Sequence, residues 1–169
     1  MSVSICDAVP GDAENLVALR RIVFGESDFM LYAPAEYAVS ASEASEQIER
    51  ITKSEHSRTI VAASDAMLVG FLGVIGSSVP RIRHAATVAL GVRRSHWGQG
   101  IGSGLLLEAI RWAPTAGLSR LELYVALNNT RAASLYEKLG FRVEGRRKRA
   151  YIIDGKAVDD QLMAYVFDA

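Results

Sequence analysis

The chain has one cysteine, four prolines and three histidines in 169 residues, and its 19 basic and 19 acidic side chains cancel. The lone Cys6 cannot form an intramolecular disulfide, and no basic segment followed by a long apolar one opens the chain, so a reducing, cytoplasmic setting is expected. His56, His84 and His96 lack the paired spacing of zinc and iron sites, and no metal is expected. Without net charge there is no overall field to hold nucleic acid or an anionic membrane. No apolar run approaches the roughly 20 residues that cross a bilayer. Only 8% of residues are aromatic, so a local cluster of them carries information.

What is present is apolar patterning. Half the residues are hydrophobic, enough for one domain, residues 1–169, around a sizeable core. Ser2 to Cys6 alternates as an edge-type strand, with Cys6 as a small core residue. Asp12 is placed to cap a helix carrying Leu16, Leu19 and Val23 and ending at Gly25. Ser40 and Glu43 form a capping box before a second helix. Arg58 to Ala63 and Met67 to Ser77 read as a hairpin through the polar turn Ser64-Asp65. His84 to Val92 is an apolar, β-branched strand, and Ile101 to Trp112 follows a helical pattern. Leu121 to Ala126 is a further strand, Asn128-Asn129-Thr130 starts a helix stopped by Gly140, and Phe141 to Ile153 and Ala157 to Phe167 pair through Asp154-Gly155. The order βααβββαβαββ predicts an α/β fold, without internal repeats or linkers.

Between the His84–Val92 strand and the Ile101–Trp112 helix lies Val92-Arg-Arg-Ser-His-Trp-Gly-Gln-Gly-Ile-Gly-Ser103. Glycines here let the backbone approach a ligand while the helix presents unsatisfied N–H groups and a positive dipole end, the features of a phosphate cradle. A dinucleotide fingerprint would need glycine at Ser103 or Leu105, and a Walker loop needs Gly-Lys-Ser/Thr; both are absent. A tight turn requiring glycine only for packing is the alternative.

Val92-x4-Trp97-Gly98-Gln99-Gly100-Ile101-Gly102 resembles the pyrophosphate loop of the GCN5-related N-acetyltransferases, departing from it where Trp97 stands in place of Arg or Gln. Asn129-x2-Ala132-x2-Leu135-Tyr136-x-Lys138-x-Gly140-Phe141 resembles the same family's downstream motif. The resemblance implies a mixed, mostly antiparallel sheet with a central splayed parallel strand pair and flanking helices, and acetyl-CoA as co-substrate. It assigns cofactor contacts to Trp97, Gly98, Gln99, Gly100, Gly102 and Ser103 in the loop and to Leu90 and Val92 along the strand. It also implies that Asn129 touches the cofactor arm and that Tyr136 lies near the thioester sulfur. With Trp97 at the variant position, backbone amides are expected to carry most of the phosphate recognition. A phenol, with a pKa of roughly 10, can donate to a departing thiolate while staying un-ionised at neutral pH; a half-buried core tyrosine has the same sequence signature.

The attacking amine must lose a proton, and Glu26, His84 or a water can take it. Glu26 to Tyr37 gathers Phe29, Tyr32 and Tyr37 near three carboxylates, either as an acceptor pocket or as packing beneath a loop. These aromatics suit a small amine with an apolar body, such as a free amino acid. The run Arg146-Arg-Lys-Arg149 reads as a solvated strand, or as an attractor for an acidic acceptor or the cofactor's adenosine phosphate. Glu144-Gly145, Tyr151, Asp154-Gly155 and Asp159-Asp160 followed by Met163 look like the RimJ/RimL and YhhY-type subgroup, whose members acetylate free amino acids or protein N-termini. The same strand pair can support a homodimer. The other readings are acetylation of a ribosomal-protein N-terminus and a non-catalytic acyl-CoA sensor.

Overall fold

The computed structural model describes residues 3–168, folded as β1 (Val3–Asp7), α1 (Ala13–Glu26), α2 (Ala41–Thr52), β2 (Arg58–Ser64), β3 (Met67–Gly76), β4 (Ala85–Val92), α3 (Ile101–Trp112), β5 (Arg120–Ala126), α4 (Thr130–Lys138), β6 (Arg142–Ile153) and β7 (Lys156–Val166). The seven strands form one sheet in the order β1-β2-β3-β4-β5-β7-β6. Every neighbouring pair is antiparallel except β4–β5, which is parallel.

Strand alternation sends side chains to two faces with different covers. On one face Ile60, Leu72, Ala86, Val88, Leu121, Leu123 and Val125 form a core with α3 residues Ile101, Leu105 and Leu106 and with Tyr136 of α4. On the other, Val61 and Phe71 pack with Leu16, Leu19 and Val23 of α1 and Ile48 of α2. Those two helices lie chiefly against the β2–β4 half of that face.

Several boundaries differ from the sequence expectation for local reasons. The β2–β3 turn is centred on Asp65 and Ala66, both at positive φ (48° and 65°), because right-handed strand twist favours a mirror-image two-residue turn. Asp154 and Gly155 do the same between β6 and β7, with φ of 49° and 74°. Asp12 precedes α1, but its carboxylate accepts from the Val9 N–H at 2.9 Å and so closes the preceding turn rather than capping the helix. The helix runs one residue past Gly25, to Glu26. The Ser40 and Glu43 capping box forms as the spacing predicts. Cys6, expected in the core, is exposed; β1 is an edge strand whose inward positions are Val3 and Ile5.

Candidate active site

β4 is the spine of the site. The Arg93 N–H donates to the Val69 carbonyl at 2.9 Å, and the His84 carbonyl accepts from the N–H groups of Ser119 and Arg120 at 2.9 and 3.2 Å. Because polar groups alternate along a strand, odd-numbered residues of this segment turn theirs to β3 and even-numbered ones to β5. Pairing with β5 lasts for three registered positions, Ala85–Arg120, Ala86–Leu121 and Thr87–Glu122. Beyond them the strands part. The backbone groups of Val88, Leu90 and Val92 therefore edge a cleft that widens toward the glycine loop, a ready ladder for the amides of an extended ligand.

At the wide end, Gly98 and Gly100 adopt φ of 76° and 79°. A Cβ on either would meet nothing within 4 Å, so glycine is there for its left-handed backbone and the space beside it is open. α3 begins directly after Gly100, and its first bond runs from the Gly104 N–H to the Gly100 carbonyl at 2.9 Å. The N–H groups of Ile101, Gly102 and Ser103 are thus left without intrahelical partners and face the open space with the helix's positive end. Gly102 lies against Leu135 of α4, where a Cβ would approach to 3.2 Å. The loop fits an anion.

Trp97 occupies an unforeseen position. Its indole N–H donates to the Val92 carbonyl at 2.7 Å, so the side chain closes the end of the cleft instead of offering a donor to phosphate. Its ring lies 5.4 Å from the Arg94 guanidinium and 4.2 Å from that of Arg131 in the first turn of α4. The Gln99 amide turns back to the Ser95 carbonyl at 3.3 Å. Side-chain charge at the loop therefore comes from Arg94 and Arg131, neither of which the loop motif singles out.

α4 closes the opposite wall. Asn129 caps it, its Oδ1 accepting from the Ala132 N–H at 3.3 Å, which leaves the amide NH2 as the group able to donate to a ligand. Tyr136 is 9% exposed, with its ring centroid 5.9 Å from that of Phe141. Burial alone pushes its phenol up to about 12, since a phenolate there would lose its hydration. Transfer of its proton to a thiolate with a pKa of roughly 8.5 would be uphill by about 5 kcal/mol. A hydrogen bond to the leaving sulfur is the chemistry this tyrosine can supply.

The candidate proton acceptors are dispersed. The Glu26 carboxylate accepts the Arg94 N–H at 2.6 Å, and its carbonyl accepts from the Arg94 guanidinium, which places it at the phosphate end. His84 is exposed and stands before the paired end of β4. Of the aromatic segment, Tyr37 is buried, 4.9 Å edge-on to Phe24 and accepting from Arg20 at 2.9 Å, so it is core. Phe29 and Tyr32 are partly exposed and available to a ligand.

The sheet face opposite Tyr136 carries groups that motif reading missed. Arg120, Glu122 and Tyr124 alternate with the buried Leu121, Leu123 and Val125; the pattern Arg-Leu-Glu-Leu-Tyr-Val was itself the available signal. The Arg120 Nε donates to Glu122 at 2.9 Å, and its two Nη groups fork onto Glu144 at 2.9 and 2.6 Å. The fork holds the Glu144 carboxyl below the usual carboxylate range. Next to them Arg147 grips Asp160 at 2.8 and 2.5 Å and stacks 3.8 Å over the Tyr124 ring. Asp160 is 0% exposed; the Arg147 bond holds its carboxyl below the usual range. Arg146 pairs with Asp159, so half of the basic run is neutralised by the adjacent strand. Among the described residues no group of three or more His, Cys, Asp or Glu is placed to hold a metal ion.

Comparison with known proteins agrees with this geometry. Residues 26–141 match the model of the Acetyltransferase (GNAT) family. The L-amino acid N-acetyltransferase AaaT of Escherichia coli (strain K12) is 31% identical over 119 residues, which is 70% of this chain and 74% of that protein. The acetyltransferase of GNAT family from Streptococcus pneumoniae superposes with a TM-score of 0.95 at 30% identity, over 99% of this chain and 100% of that one. The structure of yncA from Salmonella typhimurium with its cofactor acetyl-CoA superposes with a TM-score of 0.89 at 17% identity, over 100% and 96% of the two chains, and shares the fold.

Proposed function

We propose, from the premise that this chain belongs to the acetyltransferase (GNAT) family and is an acetyl-CoA-dependent N-acetyltransferase, that its acceptor is a small primary amine with an apolar body, a free amino acid. The observation that carries the acetyl-CoA site is the parting of β4 from β5 above Thr87–Glu122, with the glycine loop at its wide end. In this reading Gly98, Gln99, Gly100, Gly102 and Ser103 hold the diphosphate through backbone N–H groups, and Leu90 and the Val92 N–H pair with the amides of the arm, the Val92 carbonyl being taken by Trp97. The Asn129 amide donates to the arm. The Tyr136 hydroxyl sits where the thiolate departs, and the amine attacks directly, so Cys6 plays no covalent part.

Support for an amino acid acceptor comes from Phe29 and Tyr32, partly exposed where α1 ends, and from AaaT, a relative named for that activity. A polyamine site would gather several carboxylates, whereas Glu26 is spent on Arg94. The C-terminal strand features support the RimJ/RimL/YhhY-like subgroup, and the lone cysteine supports a cytoplasmic setting. A homodimer is supported by the outermost strand β6, on which Val143 and Ile152 are exposed.

The test is a thiol-release screen over amino acids, polyamines, aminoglycosides and N-terminal peptides, with CoA affinity followed by calorimetry. An amino acid should be turned over best, and Phe29→Ala or Tyr32→Ala should weaken it. A clear preference for spermidine would overturn the acceptor assignment. Unchanged CoA affinity in Gly100→Asp, which sets a negative charge against the diphosphate, would overturn the cofactor site.

A further inference from the structure

Glu26 and His84 lie at the two far ends of the site, and the register of the sheet offers another proton acceptor. Resting on the reading of the chain as an N-acetyltransferase, we infer that Glu122 receives the acceptor's amino group and takes its proton during transfer. From diphosphate to sulfur a pantetheine arm has about thirteen chain bonds, the length of roughly four extended residues or about 14 Å. Four residues back from Val92, at the glycine-loop end, is Val88. The acetyl group is thus delivered to the apex of the cleft, one step above the last registered pair, Thr87–Glu122.

Tyr136 belongs to the core beneath α3 and α4, so the amine approaches from the other face of the sheet. The β4 and β5 side chains on that face at this level are Thr87, Ala89, Glu122 and Tyr124. Only Glu122 among them is charged. Its surroundings leave that charge in use: Arg120 serves two carboxylates, giving its fork to both oxygens of Glu144 and only Nε to the Oε2 of Glu122. Arg120 thus has two carboxylates for one guanidinium, and among the described residues the other oxygen of Glu122 has no hydrogen-bond partner. The side chain is 25% exposed, reachable by a ligand and fixed by Arg120. On the same floor Arg147 and Asp160 are paired to each other, and Arg142 stands two strands from Glu122, across Ala164, without an ion pair among the described residues. Glu26 is tied at the loop end and His84 lies below the paired end.

The step balances as follows. The amine, having given one proton to solvent, forms its N–C bond to the acetyl carbon while the carbonyl electrons move to oxygen. The Glu122 carboxylate takes the proton that nitrogen must lose. The carbonyl re-forms, the C–S bond breaks, and the sulfur leaves as a thiolate held by the Tyr136 hydroxyl. Glu122 then returns its proton to solvent, from which the thiolate is protonated.

Glu122→Gln and Glu122→Asp are to be compared with wild type using L-leucine, L-phenylalanine, spermidine and a peptide with an N-terminal alanine, taking forward the amine that wild type turns over best. Glu122→Gln should keep acetyl-CoA affinity within about twofold, which also shows it folded, and lose roughly 100-fold or more in kcat/KM, with Glu122→Asp recovering part. Calorimetry on the enzyme–CoA complex should show weaker binding of the amine and unchanged binding of its N-acetyl product, whose amide nitrogen carries no charge, a split that a merely structural role would not give. Turnover by Glu122→Gln within about threefold of wild type, or equal weakening of amine and N-acetyl product, overturns the inference and leaves the N-acetyltransferase reading standing. Absence of thiol release by wild type with all four amines overturns both.

Discussion

Tyr136 is the residue whose burial and chemistry point the same way. Its helix stripe is apolar enough to bury the ring, and burial pushes the phenol up to about 12, so it remains a donor at any physiological pH. Tyr136→Phe should bind acetyl-CoA normally and lose roughly 10- to 1000-fold in turnover; equal, near-zero thiol release by both proteins would favour the sensor reading. The same shift fixes a stability trend. The unfolded phenol ionises near pH 10 and the folded one near 12, so stability is full below about 10 and falls as pH rises toward 12, by about 3 kcal/mol for this group. Alkaline denaturation followed by circular dichroism should be less steep in Tyr136→Phe. At the loop, Trp97 gives its donor to Val92 and its ring to Arg94 and Arg131. Arg131→Ala should therefore weaken CoA more than adenosine, measured by calorimetry, with a salt dependence reduced relative to wild type.

Two elements set the site, and each can be perturbed apart from the other. In the β4–α3 connection, Gly100→Ala places a methyl in open space at positive φ. The fold should lose only about 1–2 kcal/mol, while CoA affinity drops by more than tenfold because that methyl stands where the anion belongs. Thermal melting and calorimetry together separate these effects. In the β6–β7 hairpin, Asp160 is fully buried against Arg147 and Tyr151. Asp160→Asn leaves a guanidinium without its partner, but Arg147 is half-exposed and can turn to water, so about 1–3 kcal/mol is expected. The carboxyl's depressed folded value carries a sign as well: its contribution is present above the ordinary Asp value near 4 and is lost as pH falls through the folded value. Urea midpoints should therefore fall in acid more steeply for wild type than for Asp160→Asn.

For the molecule as a whole, the cleft separates two halves of one sheet joined at only three paired positions along β4–β5. A ligand pairing with both edges ties the halves together, so acetyl-CoA at about 100 times its Kd should raise stability by about 2.7 kcal/mol and the Tm by roughly 5–10 °C. Differential scanning calorimetry with and without the ligand checks this. The outer strand β6 keeps one edge unpaired, interrupted by a register shift between Arg147 and Tyr151 and by the positive φ of Arg149. Such irregularity discourages continuous strand addition. A homodimer would then meet through side chains rather than a shared sheet, and light scattering on the purified protein measures whether it forms.

The order of elements was legible from the chain because it is written in local terms: apolar periodicity, the Ser40–Glu43 box, Asn129 before α4 and Gly140 as its stop. The glycine loop and the Asn129–Phe141 segment were legible for the same reason, each being a contiguous run whose backbone demands specific residues. Tertiary structure decided what depends on neighbours distant in sequence. It turned the Trp97 indole inward onto Val92, exposed Cys6 on an edge strand, tied Glu26 to Arg94 and made Tyr37 core. Above all it set Glu122 beside Thr87 at the last pair before the strands part. The alternation in Arg120–Val125 says only which residues share a face; where a parallel strand stops pairing depends on neighbours distant in sequence, which no local pattern encodes.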